Sequence, residues 1–145
     1  ATPTSHTVVQ SGDVLGFMDF YGSDGTDYAR GASIIAAVDG TPGNNDMPGS
    51  LNFYTTPDTS ASIVERMRID SAGSVRVGTA AIATNATGGF LHIPTCAGTP
   101  TGTPTLTTGL VPMIFDTTNS QFWFYTGGAW KQPKTPAGAA TVTWQ

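Results

Sequence analysis

The sequence has few charged residues, one cysteine and no long apolar segment, and each absence excludes a class of protein. Charged residues occupy 11% of the 145 positions and the net charge is −4, so we expect no nucleic-acid partner, since such proteins need a basic face. Cys96 is the single cysteine and excludes an internal disulfide framework. The longest apolar runs, such as residues 31–38, are too short to span a bilayer, so we expect no membrane insertion.

Motifs for catalysis and metal binding are also missing. His92 and Cys96 lie four residues apart without further ligands at a metal-binding spacing, which favours a packed histidine or one on a fibre axis over a metal ligand. The oxygen-rich loop 39–46 matches no EF-hand spacing. The aspartates fall mostly at turn positions, where local hydrogen bonding explains them. We therefore predict a non-enzymatic protein with no metal site and no cofactor.

Helical signals are nearly absent, because Gly or Pro interrupts almost every window and no segment repeats apolar residues at helical spacing for three turns. Short runs of β-branched and aromatic residues between turn residues predict an all-β fold of antiparallel strands and hairpins. The first run, 13–22, ends at the strong turn dipeptide Asp24-Gly25. This run and the next, 28–38, are apolar or small on both faces, which is typical of strands covered on both sides. We expect one cover to be another subunit.

The chain divides by composition into three segments. Residues 1–79 contain the longer strands and predict a β-rich module, residues 80–110 form a Thr/Gly/Pro-rich connector, and residues 111–145 predict a small hairpin unit with a tail. Because the sequence lacks an initiator Met, we expect a piece of a longer protein.

Charge is concentrated in the segment ERMRIDSAGSVRVGT at residues 65–79. A three-residue loop after Asp70, with Gly73 in the left-handed region, would pair Ile69 with Val75 and Met67 with Val77. Alternation then places Glu65 on the apolar face with Met67, and sets two arginines directly opposite each other on the other face. We predict a structural charge network formed by Glu65, Arg66, Arg68, Asp70 and Arg76. We expect aspartates from another strand or a neighbouring chain to lie near its arginines.

Aromatic residues are concentrated in FWFYTGGAW at residues 122–130. Alternation along a strand places Trp123 and Tyr125 on one face, opposite the two phenylalanines. Ring faces stack on the CH groups of sugars, so Trp123, Tyr125 and Trp130 are candidate glycan-binding residues. Packing in a subunit interface is the competing interpretation of these three residues.

Several of these segments together resemble bacteriophage tail fibre and other phage appendage proteins. The resemblance covers about residues 12–131 and rests on three motifs in combination: NDMPG at 45–49, ERMRIDSAG at 65–73, and FDTTN with FYTGGAW at 115–130. Each motif alone is weak, and only the combination is specific.

The resemblance implies interwoven strands in a homotrimeric, fibre-like assembly within the virion, made in the bacterial cytoplasm. It also implies contacts with other virion proteins and attachment to a bacterial surface polysaccharide. We expect a structural, receptor-binding tail-fibre segment. The alternatives are a capsid decoration or head-fibre protein and, secondly, a polysaccharide-degrading tailspike domain.

Overall fold

The computed structural model describes residues 7–133, and within that range the chain contains strands, turns and loops but no helix. This confirms the prediction of an all-β fold. Residues 1–6 and 134–145 of the predicted first and last segments lie outside the described range. The described residues form two compact units that divide between Phe90 and Leu91, inside the segment that the composition marks as a connector.

The first unit contains a five-stranded antiparallel sheet in which every strand pairs with the strands before and after it in the sequence. The Asp24-Gly25 turn joins the first two strands as predicted, with Gly25 at a φ of 96°. In chain order the strands are β1 Val14–Ser23, β2 Tyr28–Val38, β3 Gly49–Thr55, β4 Val64–Ile69 and β5 Val75–Val77.

The two faces of this sheet differ in polarity. Directly paired residues project from the same face, so the strand pairing assigns each residue to a face. The apolar face carries a row that crosses all five strands, Met18, Ile34, Phe53, Met67 and Val77. Its neighbouring rows add further apolar or small residues: Gly16, Phe20, Ala32, Ala36, Leu51, Ile69 and Val75. The opposite face, here called the polar face, carries Asp19, Ser33, Ser50, Asn52, Tyr54, Arg68 and Arg76, together with the apolar Phe17 and Ile35.

This sheet is a single layer, since each described strand contacts only its neighbours within the sheet. Among residues 7–133, Val38 and Tyr125 are the only apolar side chains that are fully buried, whereas twenty large apolar side chains are exposed. A folded domain of ordinary composition buries most of its large apolar side chains. The described chain by itself therefore has almost no hydrophobic core.

The hairpin between β4 and β5 forms as predicted. Ile69 pairs with Val75 and Met67 with Val77, so Arg68 lies directly opposite Arg76. Gly73 has a φ of 82°, and its amide donates to the Asp70 carbonyl. The predicted three-residue loop with a left-handed glycine is thus confirmed.

The predicted position of Glu65 on the apolar face is wrong. A register shift between β3 and β4 leaves Arg66 without a direct partner and pairs Glu65 with Tyr54. This extra residue is a β-bulge, and a bulge reverses the alternation of every residue beyond it. Glu65 consequently lies on the polar face, where a carboxylate finds hydrogen-bond donors.

The second unit contains a four-stranded sheet in the order β6-β7-β8-β9. The first pair of strands is parallel, and the other two pairs are antiparallel. The strands are β6 Thr95–Cys96, β7 Met113–Asp116, β8 Gln121–Thr126 and β9 Ala129–Lys131. β6 lies within the segment interpreted from composition as a connector, and the sequence analysis did not identify it as a strand.

Candidate functional site

The three aromatic residues proposed from sequence to bind glycans lie together on one face of the second sheet. Trp123 and Tyr125 are two residues apart on β8, and Tyr125 pairs directly with Trp130 on β9. The rings of Tyr125 and Trp130 meet edge to face, with centroids 5.3 Å apart and planes at 76°. This arrangement is the favourable one for two aromatic quadrupoles.

A loop of threonines and glycine lies over these rings. The indole Nε1 of Trp130 donates a hydrogen bond to the Gly102 carbonyl at 2.7 Å. Loop and strands enclose an open depression of about 350 Å³, here called the aromatic groove. Its lining residues are Thr99, Pro100, Thr101, Gly102, Thr103, Trp123, Tyr125, Gly128, Ala129 and Trp130.

The aromatic residues of the groove differ in how much of each ring solvent can reach. Tyr125 is 7% exposed, so its ring packs inside the second unit and offers little surface to a ligand. Trp123 and Trp130 are half-buried. The Nε1 atom of Trp123 is buried and has no hydrogen-bond partner among the described residues. A buried indole N–H ordinarily finds an acceptor, so the Trp123 N–H is an unpaired donor that solvent does not reach.

A fully buried aspartate organises the turn between β7 and β8. Oδ1 of Asp116 accepts hydrogen bonds from the backbone amides of Gly98, Thr118 and Asn119, and Oδ2 accepts one from the Asn119 side chain at 2.7 Å. Burial by itself would raise the pKa of Asp116, but the hydrogen bonds from Asn119, Gly98 and Thr118 hold that pKa below its usual value. The FDTTN motif therefore fixes the loop at Gly98 to the β7–β8 turn.

The charged residues proposed as a network separate into independent contacts. Arg76 donates to Oε1 of Glu65 at 2.7 Å, and the Tyr54 hydroxyl donates to Oε2 at 3.4 Å. Burial raises the pKa of Tyr54, and the adjacent Glu65 carboxylate raises it further. Glu65 thus meets an arginine and a hydroxyl.

The other three residues of the proposed network bind elsewhere. Arg68 pairs with Asp39, whose carboxylate also accepts the Ser71 amide at 2.9 Å. The Arg66 side chain donates to Oγ1 of Thr55. Asp70 caps its own turn through the amides of residues 72 and 74. Asp39 follows β2 directly, and the sequence pattern of the charged segment gave no sign that it pairs there.

A second carboxylate on the polar face is held by the first two strands. Arg30 donates to Oδ2 of Asp19 at 3.2 Å, and the Tyr21 hydroxyl donates to the same atom. The Ser33 hydroxyl, which lies directly across the ladder, and then Arg30 hold the pKa of Asp19 below its usual value against the opposing effect of burial. This contact joins β1 to β2.

No protein-family model matches this chain, and a search of curated proteins finds no significant match. The resemblance to phage appendage proteins therefore stays a prediction.

Metal ligands are not gathered in the part of the chain that the structure describes. Within residues 7–133 no group of three or more His, Cys, Asp or Glu side chains lies close enough to hold a metal ion. His92 is exposed, so the expectation that it packs within the chain is wrong for the described residues. The Cys96 thiol donates to the Gly98 carbonyl at 3.1 Å. No helix in that range is long and apolar enough to cross a membrane.

The aromatic groove is the described site whose chemistry suits a small ligand. Its ten lining residues carry no charge, and they combine two indole rings with threonine hydroxyls. Indole rings stack on apolar CH faces, while hydroxyl and N–H groups bind ligand oxygens. A neutral sugar presents both kinds of surface.

Proposed function

We propose that this chain is a structural, non-enzymatic segment of a bacteriophage tail fibre, which assembles as a homotrimer and contributes to attachment to host surface glycans. The trimer forms through the first unit, and the aromatic groove of the second unit contacts the glycan. The chain functions in the virion beside other virion proteins, after assembly in the bacterial cytoplasm.

The observation that carries the proposal is the missing hydrophobic core. With two apolar side chains fully buried and twenty large ones exposed, the described chain has to obtain its buried area from other molecules. The strand β1 shows this lack of burial most clearly, because large apolar side chains are exposed on both of its faces. Phe17 on one of its faces is 68% exposed and Met18 on the other is 59% exposed. Exposed apolar patches that extend over several strands mark protein–protein interfaces.

The attachment role rests on the aromatic groove and on the low charge of the chain. Six basic residues and ten acidic ones leave little for recognition of a charged receptor, whereas the groove offers stacking surface and hydrogen-bonding groups. A single shallow groove binds weakly, so attachment needs several copies that act together. A trimeric assembly supplies those copies.

The first test is the mass of the 145-residue chain in solution by light scattering across micromolar concentrations. We expect a mass three times that of the chain at every concentration tested. A stable, folded monomer would contradict the proposal.

The second test is binding of the trimer to immobilised neutral polysaccharides extracted from bacterial surfaces. Wild type should bind, and Trp123→Ala should lose binding while it remains a folded trimer. A control, Val111→Ala, changes an exposed residue of the second unit outside the groove lining. Release of reducing ends from the same polysaccharides would favour a degrading tailspike domain instead.

A third test distinguishes a tail fibre from a head decoration. Antibodies raised against the chain should label the tails of phage particles in electron micrographs. Label on the capsid surface would favour the decoration protein.

A further inference from the structure

The first sheet has one apolar face and two free edges, β1 and β5, and these three surfaces together determine how copies of the chain can fit together. Within the described strands nothing packs on the apolar face. Each of the two edge strands pairs on one side only. A partner has to cover both the face and the edges.

The β1 edge has few of the features that keep exposed strands from pairing. Proteins protect edge strands with charges, prolines or very short lengths. β1 has ten residues, no proline and one charged side chain, Asp19, which is turned along the polar face toward Arg30. Its outer backbone groups are therefore available for another strand.

The exposure of the apolar face is greatest at its two edges. Met18 on β1 is 59% exposed and Val75 on β5 is 63% exposed, whereas Ile34, Phe53 and Met67 on the inner strands are half-buried. The side chains that most need a cover thus lie where an adjacent sheet would meet this one.

The dimensions of the face fit a second copy of the chain. Five strands about 4.8 Å apart and about six residues at roughly 3.3 Å give a face of about 24 by 20 Å, or roughly 480 Å². A stable interface buries about 800 Å² on each partner. The apolar face supplies more than half of that area, and the two edges supply the remainder.

Three copies satisfy these surfaces better than two. Two sheets packed face to face would cover the apolar face but leave the β1 edge of each sheet without a partner strand, whereas a closed ring of three brings every β1 edge to a β5 edge. If three sheets about 24 Å wide form the sides of a triangle, each sheet lies about 7 Å from the common axis. In an ordinary sandwich of two sheets, each sheet lies about 5 Å from the plane midway between them. Side chains as large as Phe53 and Met67 can fill that distance.

We propose that three copies of the first unit surround a common axis with their apolar faces inward and their polar faces outward, and that the β1 edge of each copy lies against the β5 edge of the next. This arrangement rests on the proposed homotrimer and specifies its interfaces. A ring around an axis needs contacts of this head-to-tail kind, in which two different edges meet.

The pairing of residues across the sheet predicts which residues of neighbouring copies lie close together at the β1–β5 contact. Gly16 is level with Val75, since both belong to the row that includes Leu51. A cysteine at Gly16 meets no atom within 4 Å of its Cβ, and Ser74, next to Val75, is exposed. Gly16→Cys and Ser74→Cys are therefore suitable probes of the β1–β5 contact.

The experiment uses the full chain with Cys96→Ser and a short bismaleimide cross-linker, analysed on denaturing gels. The variant with both cysteines should give covalent trimers. Each single variant should give none, and a refolded mixture of the two single variants should give covalent dimers. Gly16→Cys combined with Ala61→Cys, in the exposed β3–β4 loop, is the matched control and should give no covalent trimer.

Three outcomes would overturn the arrangement. Covalent dimers from Gly16→Cys alone mean that β1 pairs with β1 around a twofold axis. A second pair, Phe17→Cys and Arg76→Cys, lies on the row that includes Asn52. A folded trimer without cross-links in both double variants means that other edges meet, although the trimer itself stands. A monomer by light scattering removes both the trimer and its arrangement.

Discussion

The contact between Glu65 and Arg76 gives a prediction whose size can be worked out from the structure. The Glu65 side chain is 13% exposed and that of Arg76 is 55% exposed. Removal of one partner from a fully buried ion pair costs about 3 to 5 kcal/mol because the other charge stays in the protein interior. Here the guanidinium of Arg76 already reaches water, so that large cost does not apply.

What Glu65→Ala does lose is two hydrogen bonds to a carboxylate. Bonds to charged groups contribute about 1.5 to 3 kcal/mol each when well formed and shielded, and exposed ion pairs contribute about 1 kcal/mol or less. The bond from Tyr54 is long at 3.4 Å, and the one from Arg76 is partly screened by water. We therefore expect Glu65→Ala to lower the free energy of unfolding by about 1 to 2 kcal/mol.

Chemical denaturation of a double-mutant cycle measures the interaction free energy between Glu65 and Arg76. Glu65→Ala, Arg76→Ala and the double variant should give a coupling free energy of about 0.5 to 1 kcal/mol, with Arg76→Ala alone costing less than Glu65→Ala because Tyr54 keeps its acceptor. A coupling of zero, or a loss above about 3 kcal/mol for Glu65→Ala, would show that this description of the bulge is wrong.

Three further predictions concern a turn, a buried acid and the groove. Gly73→Ala should lower the free energy of unfolding by about 1 to 2 kcal/mol, because φ at this residue is 82° although no atom blocks the new Cβ. The control Gly22→Ala is equally open but lies at an ordinary φ, and it should lower that free energy by less in the same denaturation experiment. The pKa of Asp116 is lowered in the folded state, so its contribution is complete above the unfolded pKa of about 4 and is lost as pH falls through the folded value. Denaturation measured from pH 7 downward should show stability falling below about pH 4, with a shallower fall in Asp116→Asn, and an unchanged slope would contradict this. Trp130→Phe should lose the hydrogen bond to Gly102 and lower the free energy of unfolding by about 1 kcal/mol. Hydrogen exchange of the amides at residues 99–103 should become faster because the loop is released. Unchanged exchange would mean that this hydrogen bond does not hold the loop.

Features set by a few neighbouring residues could be predicted from the sequence. The β4–β5 hairpin follows from Asp70 and Gly73, because the side chain of the first accepts the turn amides and the second adopts the left-handed conformation without strain. The shared face of Trp123 and Tyr125 follows from strand alternation alone.

Features that depend on pairing between distant residues could not be predicted. The position of Glu65 depends on a bulge at Arg66, and no residue type marks that bulge in the sequence. The pairing of Arg68 with Asp39 joins residues 29 positions apart. The loop over the groove depends on a carbonyl at Gly102, and every residue has a carbonyl, so nothing in the sequence distinguishes this one.

The strand order of the first sheet has a consequence for how the chain folds. Because β1 to β5 follow one another both in the sequence and in the sheet, each pairing closes only a short loop, and sheets with such local pairing fold quickly. For the proposed trimer, this means that the sheet can form hairpin by hairpin before a second copy arrives. During that interval the apolar face and the unprotected edge of β1 are exposed to water, and non-specific association with other molecules competes with assembly of the trimer. Dilute refolding should slow assembly, a second-order step, more than strand formation, a first-order step.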